Sequence, residues 1–199
     1  SAVRTMEFFS EFARQAYGMD AGDEVKIAPV PVDFHLEGGE EFDLGGVTCR
    51  VIATPGHTRD HLSYFFPEIG ALFPGETIGV PEGRGGEAVQ VEFLSSFDDY
   101  LHSIEMLRPL KPSIIGMAHE WVFTGDDALD YMEKTAGETL RYRELIESYL
   151  DRCDGDVERT IACMVAKEYD EKGTIYQERN AYIANLSAQV RHIASLRNH

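Results

Sequence analysis

The spacing of apolar positions changes character along the chain. Met6, Phe8, Phe9, Phe12, Ala13 and Ala16 recur at three- and four-residue intervals, which predicts an amphipathic helix over residues 4–17, ended by Gly18. Short strand-like runs follow. Residues 41–44 and 47–53, joined at Gly45-Gly46, read as a hairpin, and residues 62–66, 70–73 and 112–117 read as three further strands. Between the last two lie a glycine-rich loop at residues 79–86 and a helix over residues 96–107, with Tyr100, Leu101, Ile104 and Leu107 on one face. From Gly125 onward the period is helical. Helices are expected over residues 126–150 (striped by Leu140, Leu145, Ile146 and Leu150, with a break near Gly137), 156–169 and 176–196. A boundary near Asp126 thus separates an α/β portion, residues 1–125, from an all-helical C-terminal extension, residues 126–199.

Composition narrows the function classes. With 18 Lys+Arg against 35 Asp+Glu, the chain of 199 residues carries a formal charge of −17. Such a field repels phosphate backbones, so nucleic acid is not an expected partner. No apolar run reaches the length of a membrane span, so no membrane association is expected either. Cys49, Cys153 and Cys163 are odd in number and lack C-x-x-C spacing, which speaks against a disulfide framework and for a reduced, cytoplasmic setting.

The chemistry gathers at strand ends. One strand runs into Thr54-Pro55-Gly56-His57, a second into Pro74-Gly75-Glu76, and a third ends two residues before His119. Neighbouring strands of one sheet would bring these loop starts together at its rim. Two imidazoles and one carboxylate suit Zn, Fe or Mn. Each residue alone has an ordinary explanation: a turn histidine, a solvated glutamate, a hydrogen-bonded core histidine. Their common placement is what makes the set a candidate.

The motif text goes further. Thr54-Pro55-Gly56-His57-Thr58, then Leu72-Phe73-Pro74-Gly75-Glu76-Thr77, then Ala118-His119 ahead of Val122-Phe123-Thr124-Gly125-Asp126, resembles the later motifs of the metallo-β-lactamase-fold hydrolases over residues 34–131. His61 and the helical extension look more like the thioesterase and glyoxalase-II-like branches. The resemblance implies an αβ/βα sandwich and a pair of divalent metal ions, zinc first, with iron or manganese as alternatives. In that family the metals bind a hydroxide that attacks a carbonyl. Carried over, His57 is a ligand of the first metal, Glu76 stands at the metal-bridging position, and His119 is a ligand of the second. Two departures stand out. The bridging residue is Glu where the family has Asp, a displacement of about 1.5 Å against a tolerance of about 0.2 Å. The family's His-x-His-x-Asp-His motif is also absent, since His35 is the only histidine before His57.

The chain therefore looks like a family member without its first β-rich half. Taken alone, it is expected to lack hydrolase activity, with an incomplete metal site and exposed sheet surface. The intact protein is expected to hydrolyse a small ester or thioester; a degenerate, non-catalytic binding or scaffold module is the alternative. The pocket should be walled by residues 79–93 and the C-terminal helices. Asp60, His61, Tyr64, Arg84 and Phe93 are candidate site-lining residues. The helical extension and the exposed sheet are the surfaces on which a homodimer would form.

Overall fold

The computed structural model describes residues 31–83 and 85–197; the helix expected over residues 4–17 and the side chain of Arg84 lie outside them. The chain divides into two compact units, Ser1–His35 and Leu36–His199, and the second holds every element described below. Strands β1 (Glu41–Asp43) and β2 (Thr48–Ala53) form the expected hairpin. Gly45 and Gly46 turn it at φ 89° and 100°, and Asp43 Oδ1 accepts both their N–H groups at 2.9 and 3.0 Å. Strands β3 (Leu62–Phe66) and β4 (Ala71–Phe73) continue the antiparallel meander.

After β4 the chain makes a small ribbon of β5 (Val80–Glu82), inside the stretch expected to be a glycine loop, and β6 (Ala88–Gln90), just beyond it. It then forms helix α1 (Phe97–Leu107), whose first turn is capped by Ser96 accepting from the Asp99 N–H at 3.2 Å. The helix returns the chain to β7 (Ile114–Gly116), which lies parallel to β4, and β8 (Val122–Thr124) closes the sheet in the order β1-β2-β3-β4-β7-β8. Strands β5, β6 and β8, each three residues long, lie outside the strands that the apolar pattern predicts.

Helix α2 (Asp126–Arg152) runs 27 residues without the break expected at Gly137. The glycine costs that helix some stability but does not end it, because the packed face on either side carries Met132, Ala136, Ile146 and Leu150. Helix α3 (Val157–Met164), capped by Asp156, passes into a π-helical segment, Val165–Glu171, and helix α4 (Arg179–Leu196) ends the described chain. Among the described residues no helix is long and apolar enough to cross a membrane.

One apolar core spans the Gly125–Asp126 junction. Phe65, Leu72 and Ile115 from the sheet, Tyr100, Ile104 and Leu107 from α1, Tyr131 and Ile146 from α2, and Leu186, Val190 and Ile193 from α4 belong to one buried cluster. The opposite face of the sheet is more open. Leu62, Tyr64 and Phe66 are half-buried there, and Phe73 and Val122 are 46% and 65% exposed.

The turn after β2 lies hard against α1. Gly56 takes φ 131°, and a Cβ on it would sit 2.3 Å from Tyr100 Cα. Gly56→Ala is therefore expected to lower stability by about 3 kcal/mol. Gly137→Ala, where the nearest atom is 3.6 Å away on the flexible Arg141 guanidinium, should raise it by about 0.5–1 kcal/mol. Urea midpoints of the two variants against the parent check both signs.

Candidate metal centre

The Gly56 turn is locked from behind. Its carbonyl oxygen accepts the N–H groups of Leu94, Ser95 and Ser96 at 3.1, 3.0 and 3.2 Å, and Ser103 Oγ of α1 donates to Pro55 O at 2.8 Å. His57 follows directly. Its Nδ1 donates to the Glu92 carbonyl at 2.6 Å, since a carbonyl only accepts, and this turns Nε2 toward the sheet rim. The β4 strand ends in Pro74-Gly75, and Glu76 leaves that turn with its own carbonyl held by Tyr100 Oη at 3.0 Å. His119 comes from the loop between β7 and β8.

These three predicted residues meet. His57 Nε2 contacts Glu76 Oε2, and His119 Nε2 lies 2.7 Å from Glu76 Oε1, so one carboxylate spans two imidazoles. The longer Glu arm reaches both. Their spacing is that of a hydrogen-bonded triad; among the described residues no group of three or more His, Cys, Asp or Glu side chains is spaced as a metal cage. The donor set itself has the chemistry of a divalent-ion site: two imidazole nitrogens, one carboxylate, and behind His57 the Glu92 carbonyl, which fixes that ring's tautomer.

Charge follows from these contacts. The His57 hydrogen bond, with further help from His119, holds the Glu76 carboxyl down at about 2 against the opposing effect of burial. Burial pulls the His57 imidazole down, but Glu76 and the Glu92 carbonyl outweigh it and the net shift is upward. His61 is a positioning residue. Its Nε2 accepts the Glu76 N–H at 3.3 Å, so Nδ1 carries the proton and meets Thr54 Oγ1 and Thr77 Oγ1, both at 2.9 Å. Burial and the neighbouring His57 push the His61 pKa down, in keeping with this neutral form.

A cleft of about 500 Å³ opens beside Glu76 and His119. Val80, Pro81, Glu82, Gln90 and Glu92 line one side, Glu120 and Trp121 another, and Tyr176 and Gln177, from the loop before α4, complete it. Glu92 is 2% exposed; it accepts from Gln90 Nε2 and, at 2.8 Å, from Asn185 Nδ2 of α4. Burial, with repulsion from Glu76, raises its pKa to about 7. Burial likewise pushes Glu82 up, partly countered by the Tyr176 N–H.

Of the other expected lining residues, the three that are described, Phe93, Tyr64 and Asp60, do not line this cleft. Phe93 is fully buried against Phe97, Tyr100 and Tyr142 and is a core residue, because the chain alternates sides between Glu92 and Phe93. Tyr64 pairs with Phe73 across β3 and β4. Asp60 is exposed, its carboxyl lowered chiefly by the Thr58 side chain. Arg84 lies outside the described residues. Glu82, Gln90, Glu92, Trp121 and Tyr176 carried no motif signal; only the run of polar residues between apolar ones at 87–93 hinted at a lining strand.

The sequence profile described as the metallo-beta-lactamase superfamily matches residues 5–119, more than half of the chain. The chain belongs to that superfamily. A metallo-beta-lactamase fold-containing protein of Sulfurisphaera tokodaii is 37% identical over 84 residues, 42% of this chain and 31% of the relative. A hydroxyacylglutathione hydrolase of Methylococcus capsulatus is 35% identical over 103 residues, 51% of this chain and 37% of the relative. The matched region thus spans about a third of the length of these relatives. Among solved structures, a metallo-beta-lactamase family protein from Thermus thermophilus superposes with TM-score 0.59 at 19% identity, covering 98% of this chain and 61% of that one, a likeness of fold.

The Glu76–His57 pair sets a pH window for the superfamily fold in this chain. Glu76 is lowered, so its stabilisation is full above its unfolded value of about 4.5 and is lost as pH falls toward 2. His57 is raised, so its share is full below its unfolded value of about 6.5 and fades as pH rises through the folded value. The stability difference between the parent and Glu76→Gln, measured by urea unfolding in EDTA, should be largest between about pH 4.5 and 6.5 and shrink on both sides.

Proposed function

We propose that this chain carries part of the active centre of a metal-dependent hydrolase that cleaves an ester or thioester. The observation behind this reading is the convergence of His57, Glu76 and His119 from three separate strand ends on one carboxylate, beside an open cleft. These three side chains would hold one divalent ion, with zinc, iron and manganese all compatible with imidazole and carboxylate donors. When bound, the ion supplies Lewis-acid polarisation of a carbonyl oxygen and a lowered pKa for water. The second ion of the family's pair needs donors beyond these three.

The chain's own residues do the remaining work. The Glu92 carbonyl keeps the proton of His57 on Nδ1 and so presents the Nε2 lone pair. His61 holds the backbone of Glu76, fixing where its carboxylate can reach. The cleft between the β5–β6 ribbon, Trp121 and Tyr176 would seat the substrate with its carbonyl toward His119 and Glu76. Relatives named hydroxyacylglutathione hydrolase support thioester chemistry.

Cobalt(II) titration of the chain, followed by visible absorption, tests the ligand assignment. One ion per chain is expected, with affinity reduced about tenfold to a hundredfold in His57→Ala and Glu76→Ala. Parent-like cobalt binding by both variants would remove these residues from the centre. No binding at all by the parent would leave the non-catalytic module as the reading.

A further inference from the structure

One buried polar side chain of the helical extension leads to the centre. Gln189 of α4 is 2% exposed, and the other residues that this helix buries, Tyr182, Leu186, Val190 and Ile193, are aromatic or aliphatic. An apolar residue is the ordinary occupant of such a position, since an amide there must find a partner for both its ends. Gln189 finds both. The Val91 carbonyl can only accept, so Nε2 faces it and donates at 2.7 Å, which leaves Oε1 to accept from Tyr142 Oη of α2 at 2.9 Å.

The bond to Val91 continues into the centre. The Val91 carbonyl and the Glu92 N–H are the two edges of one planar peptide group. Gln189 holds the first edge. The second donates to Tyr100 Oη at 3.4 Å, and that hydroxyl donates in turn to the Glu76 carbonyl at 3.0 Å. The side chain of Glu92 is tied as well, to Gln90 and, at 2.8 Å, to Asn185 of α4. A residue held at its peptide plane and at its carboxylate has little freedom left. Its own carbonyl meets His57 Nδ1 at 2.6 Å. Val91, Glu92 and Tyr100 are all buried, so this line of bonds from α2 through α4 to the imidazole runs out of solvent, where each bond supports the next.

We propose that Gln189 is a positioning residue of the metal centre: it holds the Val91–Glu92 peptide so that the Glu92 carbonyl stays on the His57 Nδ1 proton and Nε2 is left for an ion. The consequence for an ion rests on the hydrolytic reading. The hold on the His57 Nδ1 proton is measurable without metal or turnover.

The test reads the imidazole N–H protons by proton–nitrogen NMR in EDTA, with the His57 signal assigned by its loss in His57→Ala. The parent is expected to show a downfield Nδ1 proton that exchanges slowly with water. Gln189→Met, which keeps the length of the side chain and removes the amide, should speed that exchange about tenfold and weaken cobalt(II) binding about tenfold. Tyr142→Phe removes only the outer bond and should move both readings in the same direction by about twofold to threefold. Ile193→Val takes one methyl group from the same helix and breaks none of these bonds. It should lower the urea midpoint and leave proton exchange and cobalt affinity at their parent values. Parent-like exchange in folded Gln189→Met overturns the proposal. So does an equal change in Ile193→Val, which would make the effect one of core packing alone. Should Gln189→Met not fold, Tyr142→Phe against Ile193→Val decides, and parent-like exchange in Tyr142→Phe then overturns the proposal. No cobalt binding by the parent, together with faster exchange in Gln189→Met, would remove the hydrolytic reading and leave the hold of Gln189 on the ring standing.

Discussion

The approach of the Gly56 backbone to helix α1 is the constraint from which the rest of the centre follows. No side chain fits there, because a Cβ would fall inside the Tyr100 backbone. With hydrogen alone at that position, the turn presses against the helix and its carbonyl collects three successive N–H groups at the helix entrance. Leu94, Ser95 and Ser96 lead directly into α1, so the turn that carries His57 also anchors the segment from which that helix starts. The helix answers with Ser103 on Pro55 and Tyr100 on the Glu76 carbonyl. Two of the three converging residues are thus referenced to one buried helix, itself fixed by Ile104 and Leu107 in the core.

The helical extension enters the same construction. Gln189 of α4 donates to the Val91 carbonyl at 2.7 Å, Asn185 donates to the Glu92 carboxylate, and His192 accepts the Phe97 N–H at 2.9 Å. The segment held this way presents the carbonyl that orients His57. A helix far along the chain therefore acts on the imidazole through one intermediate residue. The two carboxylates flanking His57 show how partners decide charge. Glu76, paired with imidazoles at the rim, is held near 2, whereas Glu92, enclosed and paired with neutral amides, rises to about 7.

Much of this was legible in the sequence where local rules govern. The Gly45-Gly46 hairpin, helix α1, the helical C-terminal region and the placement of His57, Glu76 and His119 at strand ends follow from turn chemistry and periodicity. What escaped depends on neighbours distant in sequence. Glu82 and Tyr176 are joined by a hydrogen bond between residues 94 positions apart, and Glu92 and Asn185 by one across 93. No local period encodes such pairs. Phe93 misled for the opposite reason: an aromatic in a loop beside a site reads as lining, yet alternation sends it into the core and leaves its neighbour Glu92 on the cleft. At Gly137, the propensity of one residue yielded to the packed face of a 27-residue helix.

Sheet order sets the gap that the carboxylate at position 76 spans. His57 follows β2 and His119 follows β7, and in the order β1-β2-β3-β4-β7-β8 those strands are three spacings apart, about 14 Å at their axes. Loops leaning inward from both sides meet between them, and β4, one of the two strands lying between β2 and β7, supplies the carboxylate. Its turn is held rigidly: Thr77 N–H donates to Pro74 O, and Gly75 takes φ 58° with no room for a Cβ beneath the His61 ring. A turn that cannot shift must cover the remaining gap with side-chain length. The extra methylene of Glu gives that reach, placing one oxygen on each imidazole. In a centre referenced to α1 and pinned by His61, the departure from aspartate is a matter of reach, and the charge delivered to the two histidines is the same.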